Sequence, residues 1–159
     1  MTLAEAAQNF LAQNRIAVVG VSRRRGHAAN FIFNKLRATG HDVVPVNRGA
    51  TEVEGAHCYP DLKSIPGGVS AALIVTRPSE AATVVRECAE LGITRVWLHR
   101  SIGAGSASDE AVQVGRDAKL ALIRAGCPMM FAEPVDLPHK CLRWCLRVTG
   151  RLPATIGGS

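Results

Sequence analysis

The sequence predicts an α/β domain in which one doubly wound, parallel, five-stranded sheet carries helices on both faces. The chain has 159 residues, which is the length of a single domain. Short apolar runs alternate with longer amphipathic stretches, and this alternation of strands and helices produces a parallel sheet with right-handed crossovers. Aromatic residues make up only 4% of the chain, so Val, Ile, Leu and Ala must fill the core, as is typical of strands buried on both faces.

The predicted elements follow in chain order. A capping box, Thr2-x-x-Glu5, opens the first helix, and Gly40 supplies the left-handed residue that ends the second. The predicted strands span residues 16–19, 42–46, 70–75, 95–98 and 119–123. The predicted helices span residues 2–13, 28–39, 79–91 with Ser79 as its cap, a stretch that begins at Ser106 or Ser108, and residues 136–149. Residues 50–68 are polar and broken by prolines, which predicts a crossover with at most one short helix.

This Rossmann-like domain is expected to comprise residues 1–135, with a helix at 136–150 packed on it and a flexible tail at 151–159. No apolar run reaches the roughly 18 residues of a membrane span, and the first residues lack the basic start of a secretory signal. We therefore expect a cytoplasmic protein that does not contact the membrane. Its cysteines are expected to pack as small apolar side chains rather than to form disulfides. They are Cys58, Cys88, Cys127, Cys141 and Cys145.

The chain is basic, with a formal net charge of +6 and a pI near 9.5. Such a charge suits either nucleic acid or a small polyphosphate ligand surrounded by arginines. In an open α/β sheet the ligand lies outside the carboxyl ends of the strands, where the strand order reverses. The candidate loops are therefore residues 20–27, 46–49, 76–79, 99–105 and 126–128.

The loop after the first predicted strand favours phosphate binding. It reads Gly20-Val21-Ser22-Arg23-Arg24-Arg25-Gly26 and keeps only the outer glycines of a G-x-G-x-x-G fingerprint. The amide groups at the start of the following helix can nevertheless hold a phosphate, and the three arginines add positive charge.

The loop after the second predicted strand favours a phosphorylated ribose. NAD enzymes usually carry an acidic residue here to bind the ribose hydroxyls. This chain has Val46-Asn47-Arg48 instead, and an arginine suits either the 3′-phosphate of coenzyme A or the 2′-phosphate of NADP.

Several of these segments together resemble the small stand-alone CoA-binding proteins, which are similar to the amino-terminal domain of the succinyl-CoA synthetase α subunit. The matching runs are Ile16-Ala-Val-Val-Gly-Val-Ser22, Val43-Val-Pro-Val-Asn47, Glu54-Gly-Ala-His-Cys-Tyr-Pro-Asp-Leu62, Arg95-Val-Trp-Leu98 and Cys127-Pro128. The resemblance covers residues 14–130, and the string V-P-V-N followed by G-x-x-C-Y-P-x-L is its most specific part.

The resemblance implies that coenzyme A or an acyl-CoA lies across the strand ends. Gly20, Val21, Ser22, Arg23, Arg24 and Arg25 would then meet the phosphates. Val46, Asn47 and Arg48 would meet the adenosine end. Thr76, Arg77 and Pro78, with Leu98 and His99, would line the path of the pantetheine and adenine.

The sequence does not reveal a reaction. The phosphorylated histidine of succinyl-CoA synthetase belongs to a second domain, for which this chain has no room, so we expect a non-catalytic carrier, sensor or adaptor. His99 is the histidine best placed for acid–base chemistry, but its interpretation as a polar residue beside the adenine is favoured. Cys127 is expected to pack rather than to react. An NADP-dependent oxidoreductase that reads the 2′-phosphate through Arg48 is an alternative.

The last predicted helix leaves two further interpretations open. His139, Cys141 and Cys145 could offer metal ligands, but a core stripe shared with Leu142 and Leu146 is favoured. A basic face formed by Lys140, Arg143, Arg147 and Arg151 is interpreted as solvated. Nucleic-acid binding there is disfavoured because aromatic residues do not interleave with the cations. Apolar residues near Trp144 could instead mark a protein partner or a homodimer surface.

Overall fold

The computed structural model describes residues 1–100 and 105–153. Its α-helices are α1 (Leu3–Leu11), α2 (Ala28–Ala38), α3 (Pro78–Glu90), α4 (Asp109–Asp117) and α5 (Leu137–Val148), with a 3-10 helix at Pro128–Met130. Its strands are β1 (Ile16–Val19), β2 (Val43–Val46), β3 (Glu52–Val53), β4 (Ala56–His57), β5 (Ala71–Ile74), β6 (Arg95–Leu98) and β7 (Ala121–Ile123).

Five of the strands form the predicted parallel sheet, in the order β2-β1-β5-β6-β7. The last residues of three strands are in register, since Val19 of β1 lies opposite Val46 of β2 on one side and Ile74 of β5 on the other. The chain leaves β1 towards β2 and later returns to β1's other side, so the strand order reverses between β1 and β5. This reversal creates the crevice in which α/β proteins of this topology bind their ligands.

Helices cover both faces of the sheet, as predicted. Residues of α1, α2 and α5 pack on one face, and residues of α3 and α4 pack on the other. Trp97 of β6 lies in the centre of the first face, with its ring centroid 5.4 Å from that of Phe10 and 5.9 Å from that of Phe131. Its indole N–H donates a hydrogen bond to the carbonyl of Ala125 at 3.2 Å, so the largest core side chain buries no unpaired donor.

Three local predictions differ from the structure. Residues 50–68 contain the short antiparallel pair β3–β4, which the prediction of this crossover did not include, and Glu54 and Gly55 turn between these strands with φ of 53° and 71°. Helix α3 begins at Pro78 after Arg77, so Ser79 does not cap it. Strand β7 begins at Ala121 rather than at residue 119, because Lys119 has a φ of 55° and lies in the turn that follows α4.

The end of the chain is also packed differently from the prediction. Cys141 and Cys145 are exposed on α5, so the expected core stripe through these cysteines is wrong; Leu146 is the buried residue of the helix. Leu152, within the predicted tail, is 4% exposed, and its N–H donates to the carbonyl of Leu146 at 2.9 Å. Residues 154–159 of that tail lie outside the described residues. In the described part of the chain, no helix is both long and apolar enough to cross a membrane.

The packing of Leu152 predicts a stability cost at a position that the sequence assigns to a tail. We expect Leu152→Ala to lower the free energy of unfolding by about 2–5 kcal/mol, because the truncation leaves a cavity against the core. Val148→Ala is the matched control, since Val148 is 66% exposed, and we expect it to change stability by less than about 0.5 kcal/mol. Urea unfolding measures both, and equal effects of the two substitutions would contradict this packing.

Candidate functional site

The site begins where β1 leaves the sheet, at Gly20. The N–H of Gly20 donates to the carbonyl of Val46 at 3.0 Å, and the N–H of Val75 donates to the carbonyl of Val19 at 2.8 Å. Gly20 has a φ of 103°, and a Cβ at this position would lie 2.3 Å from the carbonyl oxygen of Val75. Only glycine can therefore hold the exits of β1, β2 and β5 so close together.

A buried asparagine organises the loop after Gly20. Asn30, in the first turn of α2, is 2% exposed. Its Oδ1 accepts the N–H of Ser22 at 2.8 Å, and its Nδ2 donates to the carbonyl of Ser22 at 2.7 Å. The hydroxyl of Ser22 in turn accepts the N–H of Arg24 at 3.1 Å. These bonds engage both the backbone and the side chain of Ser22 within the protein, so Ser22 orders the loop; its contact with a ligand stays a prediction.

Glu54 connects this loop to the β3–β4 turn. The Nδ2 of Asn30 also donates to Oε1 of Glu54 at 2.8 Å. Hydrogen bonds from Asn30 and Asn34 hold the pKa of the Glu54 carboxyl below its usual value, since they stabilise the ionised form. Sequence reasoning missed both Asn30 and Glu54. The available signal was a polar residue at position 30 among the apolar positions 29, 32, 33 and 36 on the buried face of α2.

Asn47 has a similar ordering role at the end of β2. Its Nδ2 donates to the carbonyl of Val21, and its Oδ1 accepts the N–H of Gly49 at 2.7 Å. Its own N–H donates to the carbonyl of Tyr59 at 2.8 Å. The amide of Asn47 thus joins the exits of β1 and β2, which leaves the neighbouring side chain of Arg48 exposed beside them.

The exits of β5 and β6 are joined through a serine and a glycine. The hydroxyl of Ser106 donates to the carbonyl of Thr76 at 2.6 Å, and its N–H donates to the carbonyl of His99 at 2.8 Å. Gly105 has a φ of 59°, and a Cβ there would lie 2.3 Å from the carbonyl oxygen of His99. Residues 101–104, which belong to the predicted loop 99–105, lie outside the described residues.

The predicted site residues fall into three groups by exposure, of which the half-buried group is Gly20, Ser22, Asn47 and Thr76. The buried group is Val21, Val46, Leu98 and His99, and these residues lie beneath the surface of the candidate site. Burial lowers the pKa of the His99 imidazole, so this ring is neutral near pH 7. The exposed members of the set are Arg23, Arg24, Arg25, Arg48, Arg77 and Pro78. The exposed group is therefore predominantly cationic.

The N-termini of the two helices that follow β1 and β5 differ from those of the other α-helices. Helices α1, α4 and α5 are each capped by a side chain, those of Thr2, Ser108 and Asp136. Helices α2 and α3, which follow β1 and β5, have His27 and Arg77 at the cap position and no side-chain cap. Their first N–H groups and the positive ends of their dipoles are therefore available to an anion at the point where the strand order reverses.

Metal binding and thiol chemistry find little support in the described residues. Within residues 1–100 and 105–153, His, Cys, Asp and Glu side chains form no group of three or more that could hold a metal ion. Cys127 is 5% exposed, which confirms that it packs. Burial raises the pKa of its thiol to about 11, and a protonated thiol is a poor nucleophile.

The bonds of Asn30 predict a local effect in the protein without ligand. We expect Asn30→Ala to lower the free energy of unfolding by about 1–3 kcal/mol or more, because the partners of a buried amide lose their hydrogen bonds. The amide protons of Ser22 and Arg24 should also exchange faster, as hydrogen–deuterium exchange would measure. Asn34→Ala, on the same helix but half-exposed, is the control; equal exchange in both variants would contradict the assignment.

The buried imidazole of His99 predicts a pH dependence. Its pKa is lower in the folded protein than the ordinary 6.5, so the unfolded chain binds a proton first as the pH falls. His99 should therefore leave the free energy of unfolding unchanged above pH 6.5 and reduce it progressively below. We expect His99→Gln to flatten this fall between pH 7.5 and 5.5 in urea titrations. A constant difference from the wild type across that range would contradict the prediction.

Comparison with known proteins places this geometry in a family. A family model described as a CoA-binding domain matches residues 14–133. The chain is 32% identical over 102 residues to the alpha subunit of an ADP-forming acetate–CoA ligase II of Pyrococcus furiosus, covering 64% of this chain and 22% of that subunit. It is 25% identical over 124 residues to the uncharacterized protein YneT of Bacillus subtilis, covering 78% of this chain and 89% of YneT.

A solved structure agrees with these relatives. A hypothetical protein from Pyrococcus horikoshii OT3 superposes with a TM-score of 0.75 at 27% sequence identity, covering 83% of this chain and 91% of that one. This chain thus spans about a fifth of the ligase subunit, 22% of its length, but most of the two smaller proteins. The resemblance predicted from the strand-end motifs is confirmed, and the chain belongs to the CoA-binding domain family.

Proposed function

We propose that this protein binds coenzyme A or an acyl-CoA across the carboxyl ends of β1, β2, β5 and β6, and that it acts in the cytoplasm as a non-catalytic carrier, sensor or adaptor. Membership of the CoA-binding domain family supports the ligand class. The site proposed for it is the crevice at Gly20, because ligands of open α/β sheets lie where the strand order reverses.

The single observation that carries the proposal is the pair of uncapped helix N-termini beside this crevice. Helices α2 and α3 lack side-chain caps, and α2 has no acidic residue in its first turn. Coenzyme A carries a pyrophosphate and a 3′-phosphate, so its binding needs several hydrogen-bond donors and positive charges at one place. The start of α2, with Arg23, Arg24 and Arg25 before it, suits the pyrophosphate.

Arg48 suits the 3′-phosphate at the adenosine end. It is exposed at the end of β2, where enzymes that use NAD usually carry an acidic residue. Its charge also acts on an acidic side chain, that of Asp61. Hydrogen bonds from Ser64 are the main reason that the pKa of Asp61 is lowered, and Lys63 and Arg48 contribute through their charges. A phosphate at Arg48 would compete with this charge effect at little cost, since interactions between surface charges are weak.

The chemistry of the nearby side chains supports a binding role rather than a catalytic one. His99 is buried, and desolvation favours its neutral form. Cys127 holds its proton at physiological pH because burial raises the pKa of its thiol to about 11. The related ligase subunit contains a matching domain within a much longer chain. By analogy, we propose that this protein presents its ligand to other proteins.

The proposal predicts that Arg48 distinguishes coenzyme A from dephospho-coenzyme A. We expect isothermal titration to show saturable binding of coenzyme A, and Arg48→Glu to weaken it about tenfold or more, which corresponds to about 1.4 kcal/mol. Dephospho-coenzyme A lacks the 3′-phosphate and should bind the wild type and the variant about equally. Arg116→Glu makes the same charge change at the last turn of α4 and should leave binding unchanged.

Three results would count against the proposal. Absence of coenzyme A and acyl-CoA binding by the wild type would remove the function itself. Preferential binding of NADPH would favour the oxidoreductase interpretation. Equal weakening by Arg48→Glu and Arg116→Glu would show that net charge, and not the end of β2, determines affinity.

A further inference from the structure

Helix α5 has an exposed apolar stripe that the core does not use. Leu137, Trp144 and Val148 are 72%, 66% and 66% exposed. They are seven and four residues apart, so they lie along one face of the helix. The core contact is made by Leu146, which is buried. The helix is therefore apolar on two faces, and the residues that the structure describes cover only one of them.

Cations border this stripe. Lys140, Arg143, Trp144, Arg147 and Val148 line a shallow groove of about 400 Å³. Lys140 and Arg147 are exposed, and Arg143 is half-buried. The sequence of α5 contains no acidic residue, and the acidic side chain nearest in sequence is Asp136 at its N-cap. The exposed indole of Trp144 thus lies beside a row of positive charges.

The groove is held in place before any partner arrives. The guanidinium of Arg143 donates to the carbonyl of Met130 at 2.9 Å and lies 5.6 Å from the centre of the Phe131 ring. The N–H of Leu152 donates to the carbonyl of Leu146 at 2.9 Å, which fastens the chain after the helix. A surface that is already ordered loses little entropy on binding.

The groove also lies outside the residues that the family model matches. The family match ends at residue 133, whereas α5 spans Leu137–Val148. This surface therefore lies outside the region for which binding of coenzyme A is proposed.

We propose that this face of α5 docks an acidic amphipathic helix of a partner protein. A stripe with helical spacing matches the ridge of a second helix, and Trp144 supplies the large aromatic anchor that such interfaces use. Lys140 and Arg147, seven residues apart, lie along one side of the stripe and complement acidic residues on the facing side of that ridge. A second copy of this chain fits poorly, because α5 contains no acidic residue that could pair with these cations across a two-fold interface.

Other anionic partners match the surface less well. A lipid surface would find three exposed apolar side chains on a 12-residue helix, a small area for insertion. Nucleic acid would find cations, but Leu137 and Val148 would gain nothing from its phosphates.

Trp144 makes the proposal measurable. The chain has two tryptophans, and Trp97 is fully buried, so a change in acrylamide quenching reports on Trp144. The probe is a synthetic 18-residue helical peptide with leucines at every third or fourth position and glutamates on both flanks. We expect it to bind at micromolar concentrations, to shift the emission to the blue and to reduce quenching. The same peptide with lysine in place of glutamate should bind at least tenfold more weakly.

Variants of exposed residues provide the controls. We expect the double variant Lys140→Glu/Arg147→Glu to weaken binding of the acidic peptide at least tenfold in calorimetric titration. The single variant Trp144→Ala should weaken this binding to a similar extent. Arg116→Glu/Lys119→Glu makes the same charge change at the end of α4 and should leave binding unchanged. Equal affinity for both peptides, or equal effects of the two double variants, would overturn the proposal. So would a preference of Trp144 for phosphatidylglycerol vesicles or duplex DNA over the acidic peptide.

Discussion

The contact between residue 20 and the exit of β5 constrains the whole binding edge. A Cβ at Gly20 would lie 2.3 Å from the carbonyl oxygen of Val75, so the exits of β1 and β5 can adjoin only if this residue is glycine. The following loop must then turn away from β5 and pass over the first turn of α2. Asn30 meets it there and bonds both the N–H and the carbonyl of Ser22. The crevice, the loop and the helix N-terminus therefore depend on one close approach.

The polar residues at this edge of the sheet fall into two kinds, those that order the loops and those that stay exposed. The side chains of Asn30, Asn47 and Ser106 donate hydrogen bonds to backbone carbonyls of neighbouring loops. The exposed arginines before α2 and after β2 are left to meet solvent or a ligand. This division is a common solution for sites that bind polyphosphates, since preorganised loops keep the backbone N–H groups oriented while flexible cations adapt.

Much of the fold could be predicted from the sequence, because four-residue apolar runs and amphipathic helices have distinct periods. The strand-end loops followed from that sheet, and they contain the cationic residues of the site. The Asn30–Ser22 bonds could not be predicted, because they depend on a loop folding back onto a helix. The β3–β4 pair, Glu52–Val53 with Ala56–His57, is too short to show a period. Helix α5 was misjudged because both of its faces carry apolar residues, so periodicity alone could not choose the buried one.

We propose that the ligand of this CoA-binding domain lies at the crevice beside Gly20. Backbone amide chemical shifts of the isotope-labelled protein, recorded while coenzyme A is added, test this most directly because each residue reports its own environment. We expect the largest changes at Gly20 and Gly26, at Arg48, and in the first turns of α2 and α3. Changes concentrated on α5, or spread weakly over all basic residues, would contradict the account.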